Sequence, residues 1–350
     1  MPSDSSDLSS LIRESAYEAG FHLVGIAPAV SPTGFDHLRD WLERGFAGEM
    51  QWMERRLDAY EDPAMVLQNV RSVVMVGLNY GSVEPVEPTP GQGRVSRYAW
   101  NDTDYHSIIR QKLKSVAAAV RATDPAVRTR AVVDTAPLLE RDFARLAGLG
   151  WFGKNTMLIN KWQGSWFFLG ALLLDCELVY DKPHETSHCG TCTRCLEACP
   201  TDAFPEPYVL DATKCISYLS IELRDQPVPE PLRAGMQDWV FGCDICQDVC
   251  PWNRKAPDGN DLFQPLPGMN PIDCLDLLAL SEGEFQTKFK GTPMERTGRD
   301  TLVRSAAIVL GNTAGEAAIP CLDAACDVSK PVVTEACRWA IYQIQSRIAD

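Results

Sequence analysis

Apolar and polar positions along the first 180 residues follow the periods of helices and strands in turn. An apolar stripe at helical spacing predicts a first helix that ends at Gly20, and a second stripe predicts a helix that ends at Gly45. Another helix is predicted over 105–121, and Pro137 is expected to begin a further one in the first helical position. Apolar, β-branched runs predict strands at 21–26, 72–80, 129–133, 156–160 and 166–174. This order predicts a layered α/β (α+β) core.

The rest of the chain differs from this first part in pattern. Residues 181–258 contain eight cysteines and few long apolar runs, so this segment buries little surface and is expected to be held by metal. From residue 259 onward the pattern is helical, and 303–310 aligns with 333–340, which suggests a pair of short HEAT-like repeats. We therefore predict three domains, at 1–180, 181–258 and 259–350.

Charge and hydropathy limit the class of protein. The formal net charge of −14 argues against a large basic nucleic-acid face but not against a local basic strip. The polar start of the chain has no apolar targeting segment, and the apolar run at 166–174 is too short to span a bilayer. We expect a cytoplasmic protein without membrane contact. No extended apolar stripe is left over, which favours a monomer.

The thirteen cysteines carry the strongest chemical signal. Four of them follow the spacing CxxCxxCxxxCP, and four more lie between 215 and 250 and are followed by Pro251. The first run is that of bacterial ferredoxins, in which the fourth cysteine binds the other cluster. One [4Fe–4S] cluster is therefore predicted on Cys189, Cys192, Cys195 and Cys250. The other is predicted on Cys199, Cys215, Cys243 and Cys246.

Two structural zinc sites are the alternative interpretation of these cysteines. Zinc ribbons use two CxxC pairs, and successive CxxC steps that end in CxxxCP do not fit that arrangement. The spacing therefore favours iron–sulfur clusters, which transfer single electrons. The other five cysteines lie in apolar or helical contexts and are predicted to be core residues: Cys176, Cys274, Cys321, Cys326 and Cys337.

Long motifs resemble one known family. They are RYAWNDTDYH at 97–106, VVDTAPLLERDFARLAGLGWFGKNTMLI at 132–159, CISYLSIE at 215–222 and FGCDICQDVCPWN at 241–253. These stretches are similar to those of epoxyqueuosine reductases, and the likeness extends over nearly the whole chain. The resemblance implies an oxidoreductase that reduces the epoxide of epoxyqueuosine at the tRNA wobble position to queuosine. It also implies a nitroreductase-like domain that binds base-off cobalamin, a ferredoxin-like domain with two [4Fe–4S] clusters, and electrons from a flavodoxin- or ferredoxin-type donor.

The resemblance assigns the role of proton donor to Asp134. Opening an epoxide produces an alkoxide that must be protonated, and Asp134 follows a predicted buried strand, where burial would raise its pKa. The alternative is that Asp134 only caps the next helix. The resemblance also suggests cobalamin contacts, which otherwise have ordinary turn, surface or core roles: Arg97, Tyr98, Asp134, Lys154, Asn155, Thr156, Ser217 and Tyr218. The pattern that begins at Asp104 lacks the glycine of the DxHxxG motif, which fits a cobalt site without a histidine ligand.

Residues 286–304 form the candidate tRNA-binding strip. This segment carries five basic residues against two acidic ones and is predicted to contact phosphates through Lys288, Lys290, Arg296, Arg299 and Arg304. A solvated helix face is the alternative. Three other functions stay open: a related cobalamin-dependent reductive dehalogenase, a ferredoxin-like electron-transfer protein, and an RNA-binding scaffold with structural clusters.

Overall fold

The computed structural model describes residues 5–81, 83–257, 261–328 and 330–349. Its strands are β1 Leu23–Pro28, β2 Ser72–Asn79, β3 Gln92–Val95, β4 Thr129–Val132, β5 Trp151–Phe152, β6 Leu158–Ile159, β7 Phe167–Leu174, β8 Trp239–Phe241 and β9 Ile272–Asp273. Its first helices are α1 Ser5–Glu18, α2 Phe35–Glu43, α3 Leu57–Glu61, α4 Tyr105–Thr123, α5 Glu140–Leu146, α6 Arg194–Glu197 and α7 Ile216–Ile221. The later helices are α8 Glu230–Arg233, α9 Ile245–Asp248, α10 Cys274–Ala279, α11 Glu282–Phe289, α12 Arg299–Thr313, α13 Ile319–Val328 and α14 Pro331–Ala349.

An antiparallel sheet in the order β1-β2-β7-β4 forms the centre of the N-terminal part. Successive side chains of a strand point to opposite faces. Val74 of β2 belongs to the core that includes Ile12 of α1 and Ile109 of α4, whereas Val73 belongs to the core that includes Phe143 of α5. Both faces of the sheet are thus covered by helices, which explains why β2 is buried along its whole length. The predicted layered α/β core is confirmed.

A second sheet connects the three segments of the chain. Strand β3 pairs in parallel with β8 of the cysteine-rich segment and antiparallel with β9 of the C-terminal segment. One hydrophobic core accordingly contains Trp100, Phe241 and Leu302. The cysteine-rich segment is therefore anchored on apolar surface from both of its neighbours.

The C-terminal helices pack closely on each other. Helix α12 is buried along most of its length and packs against α14, and α13 also packs against α14. A Cβ on Gly311 would lie 2.7 Å from the ring of Trp339 and 2.9 Å from the Cα of Ala340. Only glycine therefore permits the close approach of α12 and α14 at this point.

Two local predictions are wrong. The helix that Pro137 was predicted to begin starts at Glu140, because residues 134–139 form a loop that turns Asp134 away from the helix axis. Cys321 is exposed and is not a core residue, since it lies on the solvent side of α13. Among the described residues, no helix has the length and apolarity needed to cross a membrane.

Candidate active site

The first group of thiols surrounds the short helix α6. Cys189 and Cys192 lie in the loop before this helix, and Cys195 lies within it. The pKa of the Cys195 thiol is raised to about 11, first by burial and then by the charges of its neighbours Cys250, Cys189 and Cys192. Two backbone amides of the following turn donate hydrogen bonds to the thiol of Cys250. The four thiols predicted to hold the first cluster are therefore neighbours.

The second group of thiols is enclosed by more of the protein. Burial raises the pKa of the Cys246 thiol well above its usual value, and so do neighbouring charges that include Cys215, Cys195 and Cys199. Burial, followed by the charges of Cys246 and Cys215, likewise raises the pKa of the Cys243 thiol well above its usual value. The four thiols predicted to hold the second cluster therefore adjoin one another, and Cys195 lies where the two groups meet.

Asp134 follows β4 in an uncommon backbone conformation. Its φ is +53°, in the left-handed region that non-glycine residues seldom occupy. Its N–H donates to Oε1 of Glu140 at 2.7 Å, and its side chain is 58% exposed. The residue that precedes α5 at its N-cap is Leu139, so the alternative that Asp134 caps this helix is wrong. The loop instead turns the carboxylate into an open recess.

The Asp134 carboxylate is one end of a chain of polar contacts. Its Oδ2 lies 3.1 Å from Nε2 of His106, and Nδ1 of His106 lies 2.6 Å from Oδ1 of Asp104. The other oxygen of Asp104 accepts a hydrogen bond from Nη2 of Arg296 at 2.9 Å. The hydroxyl of Tyr105 also donates to Asp134, at 3.4 Å. His106 is only 3% exposed, so its ring meets solvent through its more exposed partners Asp134 and Arg296.

The charges along this chain decide where its proton resides. Burial alone would lower the pKa of His106, but hydrogen bonds with Asp104 and Asp134 outweigh burial and raise it. Burial would raise the pKa of Asp134, but the hydrogen bond and charge of His106 and the charge of Arg296 lower it. The pKa of His106 is thus raised and that of Asp134 lowered, so a proton between them favours His106 and leaves Asp134 ionised. The prediction that burial keeps Asp134 protonated near neutrality is wrong.

Glu140 and Arg141 border the same recess. Burial, followed by the negative charge of Asp134, raises the pKa of Glu140 to about 8, so this carboxyl is mostly neutral at pH 7. Burial lowers the pKa of Arg141, although its side chain is exposed, and the charges of Asp134, Glu140 and Cys246 act on it in the opposite direction. The exposed side chains of Asp134 and Arg141, with Glu140 beside Arg141 in sequence, border the surface that we call the recess. The charge of Cys246 acts on Arg141, which places the second thiol group on the Arg141 side of this surface.

Three of the predicted cofactor contacts connect the N-terminal part to the cysteine loops. Arg97 forms an ion pair with Asp248 at 2.5 Å. Nζ of Lys154 donates to two carbonyls of the first cysteine loop at 2.8 and 3.0 Å. Nδ2 of Asn155 donates to the carbonyl of Cys246 at 3.1 Å. In this structure these polar groups position the cysteine loops.

Two other predicted contacts lie closer to the recess. Burial and the charge of Asp134 raise the pKa of Tyr98, whose ring therefore stands near the carboxylate. Thr156 has a φ of +65°, and its carbonyl accepts a hydrogen bond from Nη1 of Arg141 at 3.1 Å. Tyr98 and Thr156 thus border the space that Asp134 and Arg141 face.

Ser217 and Tyr218 serve the second thiol group. The backbone amides of both residues donate towards the thiol of Cys215. The hydroxyl of Tyr218 accepts a hydrogen bond from the N–H of Glu49 at 2.8 Å, which attaches this helix to the N-terminal part. Their observed contacts are thus with a predicted cluster ligand and with the fold around it.

The predicted tRNA-binding strip is divided by the fold. Arg304 is fully buried and donates hydrogen bonds to the carbonyls of Leu219, Leu223 and Gln226, at 2.5 Å for Leu223 and 2.6 Å for Gln226. Burial, with the charge of Arg233, lowers its pKa to about 10. The prediction that Arg304 binds phosphate is wrong, because its guanidinium holds the end of α7 and the loop after it.

The other basic residues of the strip have different surroundings. The side chain of Arg299 is 14% exposed and is engaged with the carbonyl of Leu280 and with Asp300, which is unfavourable for the predicted phosphate contact. Arg296 faces the polar chain described above and is half exposed. Lys288 and Lys290 are exposed. The accessible part of the strip is therefore smaller than the sequence suggested.

Three functional candidates were missed in the sequence. They are His106 and Glu140, which contact Asp134, and Asp104, which contacts His106. A signal was present, because Asp104 and His106 end the first family-like motif and Glu140 lies inside the second. Their contacts with Asp134 depend on the pairing of α4 with β4, which has no local signature.

Two family models match the chain. One, described as "Epoxyqueuosine reductase QueG, DUF1730", matches residues 61–135. The other, described as "4Fe-4S double cluster binding domain", matches residues 188–253. The second match includes all eight cysteines of the two thiol groups. This segment is therefore a domain for two iron–sulfur clusters.

Relatives and solved structures match over nearly the full length. The chain is 39% identical to the epoxyqueuosine reductase of Xanthomonas campestris over 97% of each chain, and 40% identical to that of Pseudomonas aeruginosa over 92% of this chain and 90% of the relative. A crystal structure of epoxyqueuosine reductase with an epoxyqueuosine-modified tRNA-Tyr stem loop superposes with a TM-score of 0.91 at 28% identity, covering 97% of this chain and 91% of that one. The Bacillus subtilis enzyme, solved with its catalytic aspartate loop swung out of the active site, gives 0.89 at 27% identity and covers 97% and 91%.

Proposed function

The chain belongs to the epoxyqueuosine reductase family, and we propose from this premise that it reduces the epoxide of epoxyqueuosine in tRNA to queuosine. One observation carries the proposal. The Asp134 carboxylate lies in an open recess that also reaches the second thiol group. A proton source and an electron source therefore border the same space, as reductive removal of an epoxide oxygen requires.

The balance of the reaction defines what the protein must supply. The epoxide oxygen leaves as water and a carbon–carbon double bond forms, which consumes two electrons and two protons. Asp134 is the exposed carboxylate of the recess and is the group we assign to protonate the departing oxygen. Since Asp134 is ionised in the resting arrangement, it must receive each proton from a neighbour before it can donate it.

The two clusters are assigned to electron transfer. We assign Cys189, Cys192, Cys195 and Cys250 to the cluster nearer the surface, and Cys199, Cys215, Cys243 and Cys246 to the cluster nearer the recess. The influence of the Cys246 charge on Arg141 supports this order, because Arg141 borders the recess. Electrons from an external donor protein would pass from the first cluster to the second, one at a time.

Cobalamin is the cofactor that we propose for the recess. When bound, it would deliver the electrons to the epoxide. Tyr98, Thr156 and Arg141 would hold it, because they border the space between Asp134 and Cys246. Both ring nitrogens of His106 are engaged, so this histidine offers no free nitrogen to cobalt, in agreement with a base-off site. The groups at the border of the recess are aromatic and polar, with Tyr98 near Asp134 and Arg141 bonded to Thr156, which suits a polar cofactor.

The tRNA stem loop is the proposed substrate partner. A relative of known structure binds an epoxyqueuosine-modified stem loop, and its fold matches nearly the whole chain. We assign phosphate contacts to the exposed Lys288 and Lys290, beside Arg296 at the recess. The proposed architecture is a nitroreductase-like domain, a double-cluster domain and a HEAT-like helical segment in a monomer.

Anaerobic reconstitution tests the proposal. The chain would be loaded with iron, sulfide and cobalamin, then given epoxyqueuosine-containing tRNA and a strong reductant, and the nucleosides would be analysed by mass spectrometry. We expect the loss of one oxygen atom, dependent on cobalamin. Assembled clusters with unchanged tRNA would contradict the proposal and favour a ferredoxin-like electron carrier or a reductase of another substrate.

A further inference from the structure

The polar chain that ends at Asp134 begins in the C-terminal segment. Arg296 lies in the 3₁₀ turn Pro293–Thr297, and its guanidinium donates to Asp104 at 2.9 Å. The N–H of Asp104 also donates to the carbonyl of Gly291 at 2.6 Å. The segment beside the proposed tRNA contacts is therefore bonded directly to the first turn of α4, which carries His106.

Contacts hold both ring nitrogens of His106, and Nη2 of Arg296 also lies against them, 2.5 Å from Nδ1 and 3.1 Å from Nε2. Asp104 caps α4, because its Oδ1 accepts from the backbone N–H of His106 at 3.0 Å, and the same oxygen lies 2.6 Å from Nδ1 of the ring. The ring of Tyr105 packs against it at 4.0 Å between centroids. Nε2 is thereby directed at Asp134. The geometry is that of a proton-holding imidazole with one carboxylate behind it and a second, exposed carboxylate in front.

The reaction needs a second proton that Asp134 cannot hold in advance. A carboxyl carries one proton, and each turnover consumes two. We propose that His106 supplies protons to Asp134, and that Asp104 and Arg296 are positioning residues that keep His106 in this role. In each transfer the Nε2–H bond of His106 breaks, an O–H bond forms on Asp134, and the imidazole is protonated again from solvent. This inference rests on the proposed function.

The groups around His106 determine whether a given substitution raises or lowers its pKa. It is faced by Asp104 and Asp134, by Arg296 from the C-terminal segment and by Glu140 from α5. Burial is the largest influence and lowers the pKa of His106. The contacts with Asp104 raise this pKa, and the charge of Arg296 lowers it. Removing Asp104 should therefore lower the pKa of His106, whereas removing Arg296 should raise it. If His106 had only a structural role, these opposite pKa shifts would not appear in the pH dependence of turnover.

The pH dependence of turnover is the decisive measurement. Holoenzyme reduced by a strong chemical reductant should lose activity as pH rises through the raised pKa of His106, because the protonated form is present only below it. We call this loss of activity at high pH the basic limb of the pH profile. Asp104→Asn should move the basic limb to lower pH by about one unit, and Arg296→Gln should move it to higher pH by a smaller amount. Arg39→Gln, which breaks an exposed ion pair with Asp36, is the matched control and should leave the limb in place.

An NMR titration of His106, which does not depend on turnover, distinguishes failure of this inference from failure of the proposed function. The chain has five histidines, so the His106 resonance of the oxidised holoenzyme can be identified by its loss in His106→Gln and titrated by NMR. We expect a pKa above that of free imidazole, lower in Asp104→Asn and higher in Arg296→Gln. If the enzyme turns over but the basic limb stays fixed, or moves in the same direction in both variants, this inference is overturned and the proposed function stands. The absence of turnover in every form would overturn the proposed function, and this inference with it.

Discussion

The thiol groups and the Asp134 loop serve one proposed reaction, but different contacts hold them in place. The thiols lie in short loops whose own backbone amides point at the sulfurs, as at Cys215 and Cys250. Asp134 has a left-handed φ and is held by Glu140 and His106, which lie on two different helices. The comparison indicates that the electron-carrying part depends on local sequence and metal, whereas the proton-carrying part depends on long-range packing.

Removing one cluster ligand should have the largest effect. Cys246→Ala is expected to remove the second cluster and abolish turnover, because the alanine side chain has no donor atom for iron. Iron should fall from about eight to about four atoms per chain. Cys321→Ala, which changes an exposed cysteine outside both groups, is the matched control. Full iron content in Cys246→Ala would contradict the assignment.

Replacing the proposed acid should stop proton delivery without disturbing the clusters. Asp134→Asn is expected to lower the turnover rate by about 10²- to 10⁴-fold, because the amide cannot relay a proton. Iron content and stem-loop affinity should stay close to those of the unmodified chain, because Asp134 lies apart from the thiols. A rate within tenfold of the original would show that another group protonates the epoxide oxygen.

The hydrogen bond from Asp134 to Glu140 tests what holds the loop. Glu140→Ala removes the acceptor of the Asp134 N–H, a loss of about 1 kcal/mol, which corresponds to a rate loss of about fivefold if the loop leaves the recess. Glu140→Gln keeps an acceptor and should retain most of the activity. Single-turnover rates would measure both effects. Equal losses in the two variants would indicate that the charge or proton of Glu140 matters more than its hydrogen bond.

Glu140 also predicts a pH-dependent stability. Its pKa is raised to about 8 in the folded chain, so the folded state retains a proton that the unfolded state has lost. Its stabilising contribution is therefore complete below about pH 4.5 and decreases as pH rises towards 8. The melting temperature of Glu140→Gln relative to the unmodified chain should accordingly increase over this range and level off above pH 8. A constant difference across the range would contradict the raised pKa.

The smallest effects are expected at the surface of the C-terminal segment. Lys288→Ala and Lys290→Ala should each weaken stem-loop binding a few-fold and reduce the slope of log affinity against log salt by about one. Arg304→Gln should leave this slope unchanged and lower the melting temperature, because it leaves buried carbonyls of the α7 end without a donor. Binding titrations at several salt concentrations would distinguish the two kinds of basic residue.

The sequence by itself determined the elements and the metal chemistry. The helices that end before Gly20 and Gly45 are present, and both glycines have a positive φ. The eight clustered cysteines were identified by spacing alone, because ligand loops for a cluster are short and their order is encoded locally. Family-like motifs likewise identified Asp134, and they contain Asp104, His106 and Glu140 as well.

Only the tertiary structure decided how these groups act on one another. Arg304 has the same charge as Lys288, yet α12 buries it completely, since burial depends on which face of a helix meets its neighbours. The protonation of Asp134 was reversed from expectation by His106 and Arg296, which are 28 and 162 positions away in sequence. A pKa depends on charges close in space, and closeness in space between distant residues is fixed by the packing of the whole chain.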